Sequence, residues 1–327
     1  MLRDWFSALP TYDRKAAGTL SALIEDCQRE SLTGLLRLEF SAGDLYIWIF
    51  VNGEGQSLFE YEDGKWLGIP RSQWITKLEK SQANIRKSHV PIQGVRTCEV
   101  VLNSVIEQKS SMKLSGTELL RQVQVWYERP EPGFIHVQAE NQEFFGLIFG
   151  DGVSNMEVLL FNDKYAVYSV ENPDDLPVKA DGVYQMRHYV GDTQQDIWLE
   201  NLLRLAFAAL MRMIIQRFGY MVGFALADRL CDRLTEANQA RGLDIKLTIN
   251  GIENSQLFHS LHEASGSYSF ILNSFFAETS NLIGPRISKE IAMNMVEKLT
   301  LAQRKLLVTN LHELKGPQFS LASTPRK

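Results

Sequence analysis

Cysteine is scarce in this chain: Cys27, Cys98 and Cys231 are the only three among 327 residues, odd in number and far apart. With no CxxC pair, a disulfide-stapled secreted fold is not expected, and a reducing, cytoplasmic setting fits better. Cys27 and Cys231 fall in apolar helical patterns, where a thiol behaves as a small hydrophobe. A basic excess is also lacking. The 34 Lys and Arg against 39 Asp and Glu leave a net charge of −5, so no nucleic-acid partner is expected. Long apolar runs are lacking as well. Arg204, Arg212 and Arg217 interrupt Leu202 to Ala227, and the charge-free run Phe218–Ala227 falls well short of the roughly 20 residues a membrane span needs. The start, Met1 to Pro10, mixes Arg3 and Asp4 with Trp5 and Phe6 and does not read as a secretory signal. What remains is an ordinary globular composition, 45% apolar and 22% charged, enough for a sizeable core.

The chain reads as α+β: two related units, each a helix plus an antiparallel hairpin, followed by an all-α helical domain. Leu20, Leu23, Ile24 and Cys27 repeat at helical spacing, and Thr33-Gly34 stops that helix. Two apolar strands follow, Leu35–Phe40 and Leu45–Val51, separated by Gly43-Asp44 and closed by Asn52-Gly53, a strong turn signal. The same order returns later. Ser115 and Glu118 have capping-box spacing ahead of Leu119, Val123 and Trp126, and Pro130 and Pro132 end the helix. Strands Phe134–Val137 and Phe144–Phe149 then lead to Gly150-Asp151-Gly152. Gly34 to Gly133 and Gly53 to Gly152 both span 99 residues (133 − 34 and 152 − 53), which supports a gapless internal duplication. At that offset Leu36 meets Ile135, Arg37 meets His136, and Asp44 meets Glu143. Arg37 and His136 are accordingly expected at an exposed polar position of each hairpin.

These patterns set the boundaries 1–110 for the first unit and 111–190 for the second, with one pseudo-symmetric domain built from both as the alternative. Glu99–Leu102 reads as a short strand and Lys109-Ser110-Ser111 as a linker. From 191 to 315 the periodicity is helical, with helices expected near 196–217, 219–239, 254–263, 267–282 and 285–309. Gly223 and Gly284, 61 residues apart (284 − 223), hint at two similar helical hairpins. Residues 316–327 read as a mobile polar tail.

No phosphate-binding GxxxxGK[ST] loop, dinucleotide fingerprint, HExxH or GxSxG elbow occurs. No catalytic or cofactor-binding residue is assigned, and no cofactor is expected. His259 and His262, in the sequence HSLHE, are placed on one helical face beside Glu263. Two ligands at that spacing could begin a metal site, yet zinc takes three or four, so capping or solvated histidines are the better reading. The aromatic side chains Tyr46, Trp48, Phe144 and Phe145 are the interaction candidates. Tyr46 and Trp48 are assigned to opposite faces of one strand, and Phe144 and Phe145 likewise. A sheet with rings on both faces needs cover on both, from its own core or from a partner.

The pattern Leu20 to Cys27, Thr33-Gly34, Leu35 to Phe40, Gly43-Asp44, Leu45 to Phe50 and Asn52-Gly53 resembles the PATAN domain, the PatA N-terminal domain of bacterial signalling proteins. The match covers about residues 19–60, with a looser copy at 118–155. Two departures are clear: Glu54-Gly55-Gln56-Ser57 is polar where the family continues apolar, and Pro132-Gly133 replaces Thr-Gly. The resemblance implies a regulatory interaction module without catalytic residues. The resulting expectation is a non-enzymatic bacterial signalling adaptor. Its partner would be a protein, such as a response regulator or small GTPase, with a homodimer as a further possibility. The alternative is a sensor that binds a nucleotide or metabolite at the seam of the repeated units or in the helical domain.

Overall fold

A computed structural model describes residues 5–6, 12–15, 20–78, 83–128, 133–139, 142–148, 156–161, 166–170, 175–176, 178–192 and 194–314. The helix stop at Pro130 and Pro132, the glycine turn at 150–152 and the tail 316–327 lie outside them. The chain divides near residue 193 into two compact units.

In the first unit, β1 (Tyr12–Lys15) precedes α1 (Leu20–Arg29), whose Cys27 is buried while Leu23 and Ile24 pack against the same core. The helix stops at Ser31, held at φ 49°, and the Leu32 amide donates back to the Cys27 carbonyl. The strands β2 (Gly34–Phe40) and β3 (Leu45–Val51) form the expected hairpin. Asn52 and Gly53, both at positive φ, turn the chain into β4 (Glu54–Glu62), as a primed turn requires. Gly55 in β4 is a matter of fit, because a Cβ there would meet the Trp48 indole at 2.6 Å. β5 (Lys65–Ile69), α2 (Trp74–Leu78), β6 (Ala83–His89) and α3 (Ile92–Ser104) complete this half.

The second half supplies β7 (Val105–Ser115), α4 (Gly116–Glu128), β8 (Gly133–Ala139), β9 (Gln142–Ile148), β10 (Met156–Phe161), β11 (Ala166–Val170) and β12 (Val183–Gly191). The capping box that opens α4 is present: the Glu118 amide donates to Ser115 Oγ, and the Ser115 amide donates to the Glu118 carboxylate. That bonding also holds the Glu118 carboxyl below its usual range.

The two halves build separate six-stranded antiparallel sheets with the same strand order. One reads β1-β6-β2-β3-β4-β5, and the other, in matching direction, β7-β12-β8-β9-β10-β11. The duplication is therefore visible in the topology, but it is not gapless. Glu39 faces Leu45 across the first hairpin, whereas Gln138 faces Glu143 across the second. The second loop is one residue shorter, and a one-residue slip turns every side chain of a strand to the other face. The structural equivalent of Glu143 is thus Leu45, not Asp44.

Three further readings are corrected. Glu99–Leu102 lies in helix α3, which is buried along Gly94–Leu102 and therefore shows no amphipathic period. Lys109-Ser110-Ser111 is no linker, since it runs through β7 and pairs with β12. Tyr46 and Trp48, two residues apart, share one sheet face as strand geometry demands.

Each sheet covers one face with its own helix. Leu36, Leu38, Tyr46, Trp48 and Phe50 form a core with α1 and α2, and Ile135, Val137, Phe144, Ile148 and Met186 form one with α4. The opposite faces meet α3, which packs on β2, β3 and β5 of one sheet and on β10 and β11 of the other.

The second unit contains α5 (Asp196–Val222), α6 (Phe224–Ala240), α7 (Leu261–Ile283), α8 (Pro285–Val296) and α9 (Leu301–Asn310). The helix expected at 254–263 is absent. Residues 255–260 are irregular and lead into α7, and ahead of them β13 (Ile245–Thr248) and β14 (Gly251–Asn254) form one short hairpin in the helical region. Thr235 and Asn238 of α6 bond the backbone of Leu247 and Ile245 and hold that hairpin to the helix. Among the described helices, only α5 is long and apolar enough to cross a membrane. Its Leu203, Phe207, Leu210, Ile214 and Phe218 form the centre of this unit's core, as a buried helix of a globular domain would.

Candidate functional site

A buried polar cluster of the first unit grows from three adjacent strands. His136 on β8 lies opposite Arg187 on β12 and opposite Phe145 on β9, with Gln138 and Glu143 one step along the same face. Strand alternation sends Phe134, His136 and Gln138 to one side of the sheet while Ile135 and Val137 face α4. His136 is fully buried, which corrects its expected exposure, and Glu143 is buried with it. Both faces of this sheet are covered, so alternation here separates two interiors rather than interior from water.

Arg187 Nη1 donates to Gln138 Oε1 at 2.7 Å and approaches His136 Nδ1 at 3.3 Å. A guanidinium has no acceptor, so Nδ1 is the lone-pair nitrogen and Nε2 carries the proton. Nε2 then donates to Glu143 Oε1 at 2.6 Å. Burial is the main force on the imidazole and holds its pKa below the ordinary histidine range. The Glu143 hydrogen bond and charge push it back up, and Arg187 pushes it down. The resulting chain is a cation, a neutral imidazole and a carboxylate in series.

Aromatic rings enclose it. Phe145 stacks on the imidazole at 4.6 Å, and Trp5 meets His136, Phe134, Phe145 and Tyr189 edge-on at 5.3–6.0 Å. The Trp5 carbonyl accepts from Arg37 Nη1 at 3.2 Å. Arg37 is the first-half equivalent of His136, so the same position on each sheet turns toward Trp5. Burial raises the Tyr189 phenol, with Arg187 and Trp5 acting against it. On α3, burial together with the Glu143 and Glu99 carboxylates raises the Cys98 thiol well above its usual range, which makes it a poor nucleophile. The arrangement runs from half-buried Arg187 and Gln138 to a buried imidazole and carboxylate.

The pair predicts a pH dependence. An imidazole whose folded pKa lies below its unfolded value contributes nothing above about pH 6.5, where both states are neutral. As pH falls through that value the unfolded chain binds a proton that the folded chain refuses. Stability then drops by up to about 1.4 kcal/mol per pH unit until the folded pKa is reached. His136→Gln keeps a donor for Glu143 and removes the titration. Urea unfolding at pH 7 and pH 5 should show a larger loss for wild type than for the variant. Equal losses would place the titration elsewhere.

The interaction candidates are interior residues: Tyr46, Trp48, Phe144 and Phe145 are each at most 3% exposed. Trp48 packs against Phe50 and Trp74, and the Tyr46 hydroxyl donates to Glu60, which also binds Lys77. Their reading as docking side chains is corrected, because the covering surfaces are the chain's own helices and Trp5. His259 and His262 do not share a helix face, since α7 begins at Leu261. Glu263 caps that helix instead, receiving the His259 amide while its own amide donates to Ser260. Among the described residues no group of three or more His, Cys, Asp or Glu could hold a metal ion.

Sequence reasoning missed Glu143 and Arg187. Arg187 matches Arg86 of the first sheet, each facing the Arg37 or His136 equivalent, but at an offset of 101 (187 − 86) that a search at 99 does not register. Comparison with known proteins finds no family model that matches the sequence, no similar curated protein and no similar solved structure.

Proposed function

We propose that the chain is a non-enzymatic signalling adaptor of the bacterial, PATAN-like kind, acting through protein–protein contacts in the cytoplasm. The observation that carries this reading is the repeated strand order of the two sheets. The helix-and-hairpin pattern that carries the resemblance thus belongs to a larger sheet unit that this chain holds twice. Two copies of one interaction module on one chain suit a scaffold, because linked modules raise effective concentration at a partner without any new contact. The three described cysteines are buried free thiols, in keeping with a reducing compartment.

The test is affinity capture from the host with the full chain as bait, after chemical cross-linking. A response regulator, a small GTPase or another signalling component should be recovered in near-stoichiometric amount. Recovery of no such partner, together with a melting temperature raised by one nucleotide or metabolite, would overturn the adaptor in favour of a sensor.

A further inference from the structure

The two helical corners of the second unit share two backbone hydrogen bonds at equivalent positions. Gly223 ends α5 and starts α6 at φ 95°, and Gly284 ends α7 and starts α8 at φ 85°. The Gly223 amide donates to Gly219 and the Ala227 amide to Gly223; 61 residues on, Gly284 donates to Ser280 and Ser288 to Gly284. Phe207 stacks on Tyr268 at 4.4 Å and Phe218 meets Phe275 at 6.1 Å, so α5 and α7 run in the same direction. Both corners therefore project from one end of the unit.

That end is apolar and open. Tyr220, Met221 and Phe224 at one corner and Leu282 and Ile287 at the other are 43–74% exposed. Among the described residues they make up most of the large exposed hydrophobics of the second unit, with Leu301 the remaining one. Cations outnumber carboxylates around them. No Asp or Glu occurs from Arg217 to Ala227 or from Thr279 to Lys289, whereas Arg217, Arg286 and Lys289 do. Glu290, next in sequence, is bonded to Arg286, and Glu278 to Arg233. Asp228, which Arg229 follows, is the third carboxylate within six residues of either corner glycine. Arg217 and Lys289 stand five or six residues behind the glycines, about 8–9 Å at the helical rise.

Convex tips with aromatic and aliphatic side chains, backed by cations at that depth, match an acyl–headgroup boundary. There, apolar groups enter by about 5–10 Å and Lys or Arg meet anionic headgroups. We propose that this end of the second unit docks peripherally on an anionic lipid surface. The proposal is independent of the adaptor reading.

Co-sedimentation of the full chain with vesicles of phosphatidylglycerol and phosphatidylcholine, against phosphatidylcholine alone, tests it. Wild type should bind the anionic vesicles and be released by salt. Y220S/F224S/I287S should lower the partition coefficient by about tenfold or more. R217Q/K289Q should lower it by about fivefold per cation. These positions are exposed, and circular dichroism checks that the variants remain folded. No binding by folded wild type, or binding indifferent to both variants, would overturn the proposal. So would a dimer in sedimentation velocity that the apolar variant dissociates without any vesicle binding, since the corners would then join two copies.

Discussion

Gly34→Ala and Gly133→Ala should each destabilise the first unit by about 4 kcal/mol or more, among the largest effects a single methyl group produces. A Cβ on Gly34 would lie 2.0 Å from the Ser88 carbonyl oxygen, and one on Gly133 would lie 2.4 Å from that of Tyr189. Ser88 and Tyr189 hold the same place in β6 and β12, one residue before the partners of the two glycines. The two halves thus share a close backbone approach that only glycine permits, and Gly34 adds a φ of 152°. Gly43→Ala is the control. Its φ is 90° and nothing lies within 4 Å of the added carbon, so its cost should be about 1–2 kcal/mol, that of left-handed backbone alone. Urea midpoints followed by tryptophan fluorescence measure this, because Trp5, Trp48, Trp66, Trp74 and Trp126 all precede residue 193. A Gly34→Ala shift no larger than that of Gly43→Ala would show that β6 yields freely.

Those glycines illustrate what a sequence discloses. Their spacing of 99 residues is legible and marks the duplication, but the carbonyl that forbids a side chain comes from a strand more than fifty residues away. Helices with one dry face, such as α1 and α4, are legible by period, and Asn52-Gly53 by turn chemistry. α3 is not, because a helix buried on all sides loses its period, and Val100-Val101 then mimic a strand. β7 is hidden because a strand half exposed to water can carry Lys109 and Ser110. The β13–β14 hairpin had a signal, Asn250-Gly251, that a search for helical periodicity passes over.

The buried cluster was illegible for a further reason. His136 alternates with Ile135 and Val137 as a solvent-facing residue would, and nothing local states that a second interior lies on its side of the sheet. The shorter hairpin loop adds to this. Had the halves aligned without a gap, Glu143 would stand at a turn, as Asp44 does. The missing residue moves it to the place of Leu45, inside, where a carboxylate persists only with donors around it.

That substitution of Leu45 by Glu143 between the halves yields the second large prediction. His136→Leu alone leaves a desolvated carboxylate without its imidazole donor and should cost about 3–5 kcal/mol. Glu143→Leu alone strands only the neutral Nε2–H and should cost about 1–3 kcal/mol. The double variant removes both polar groups and gives β9 the residue the first sheet already accommodates, next to an arginine still bonded to Gln138. It should be more stable than His136→Leu and cost at least about 2 kcal/mol less than the two single losses together. Strictly additive losses in urea unfolding would mean that the pair contributes no coupling. The second half would then retain its carboxylate through its other contacts rather than through His136.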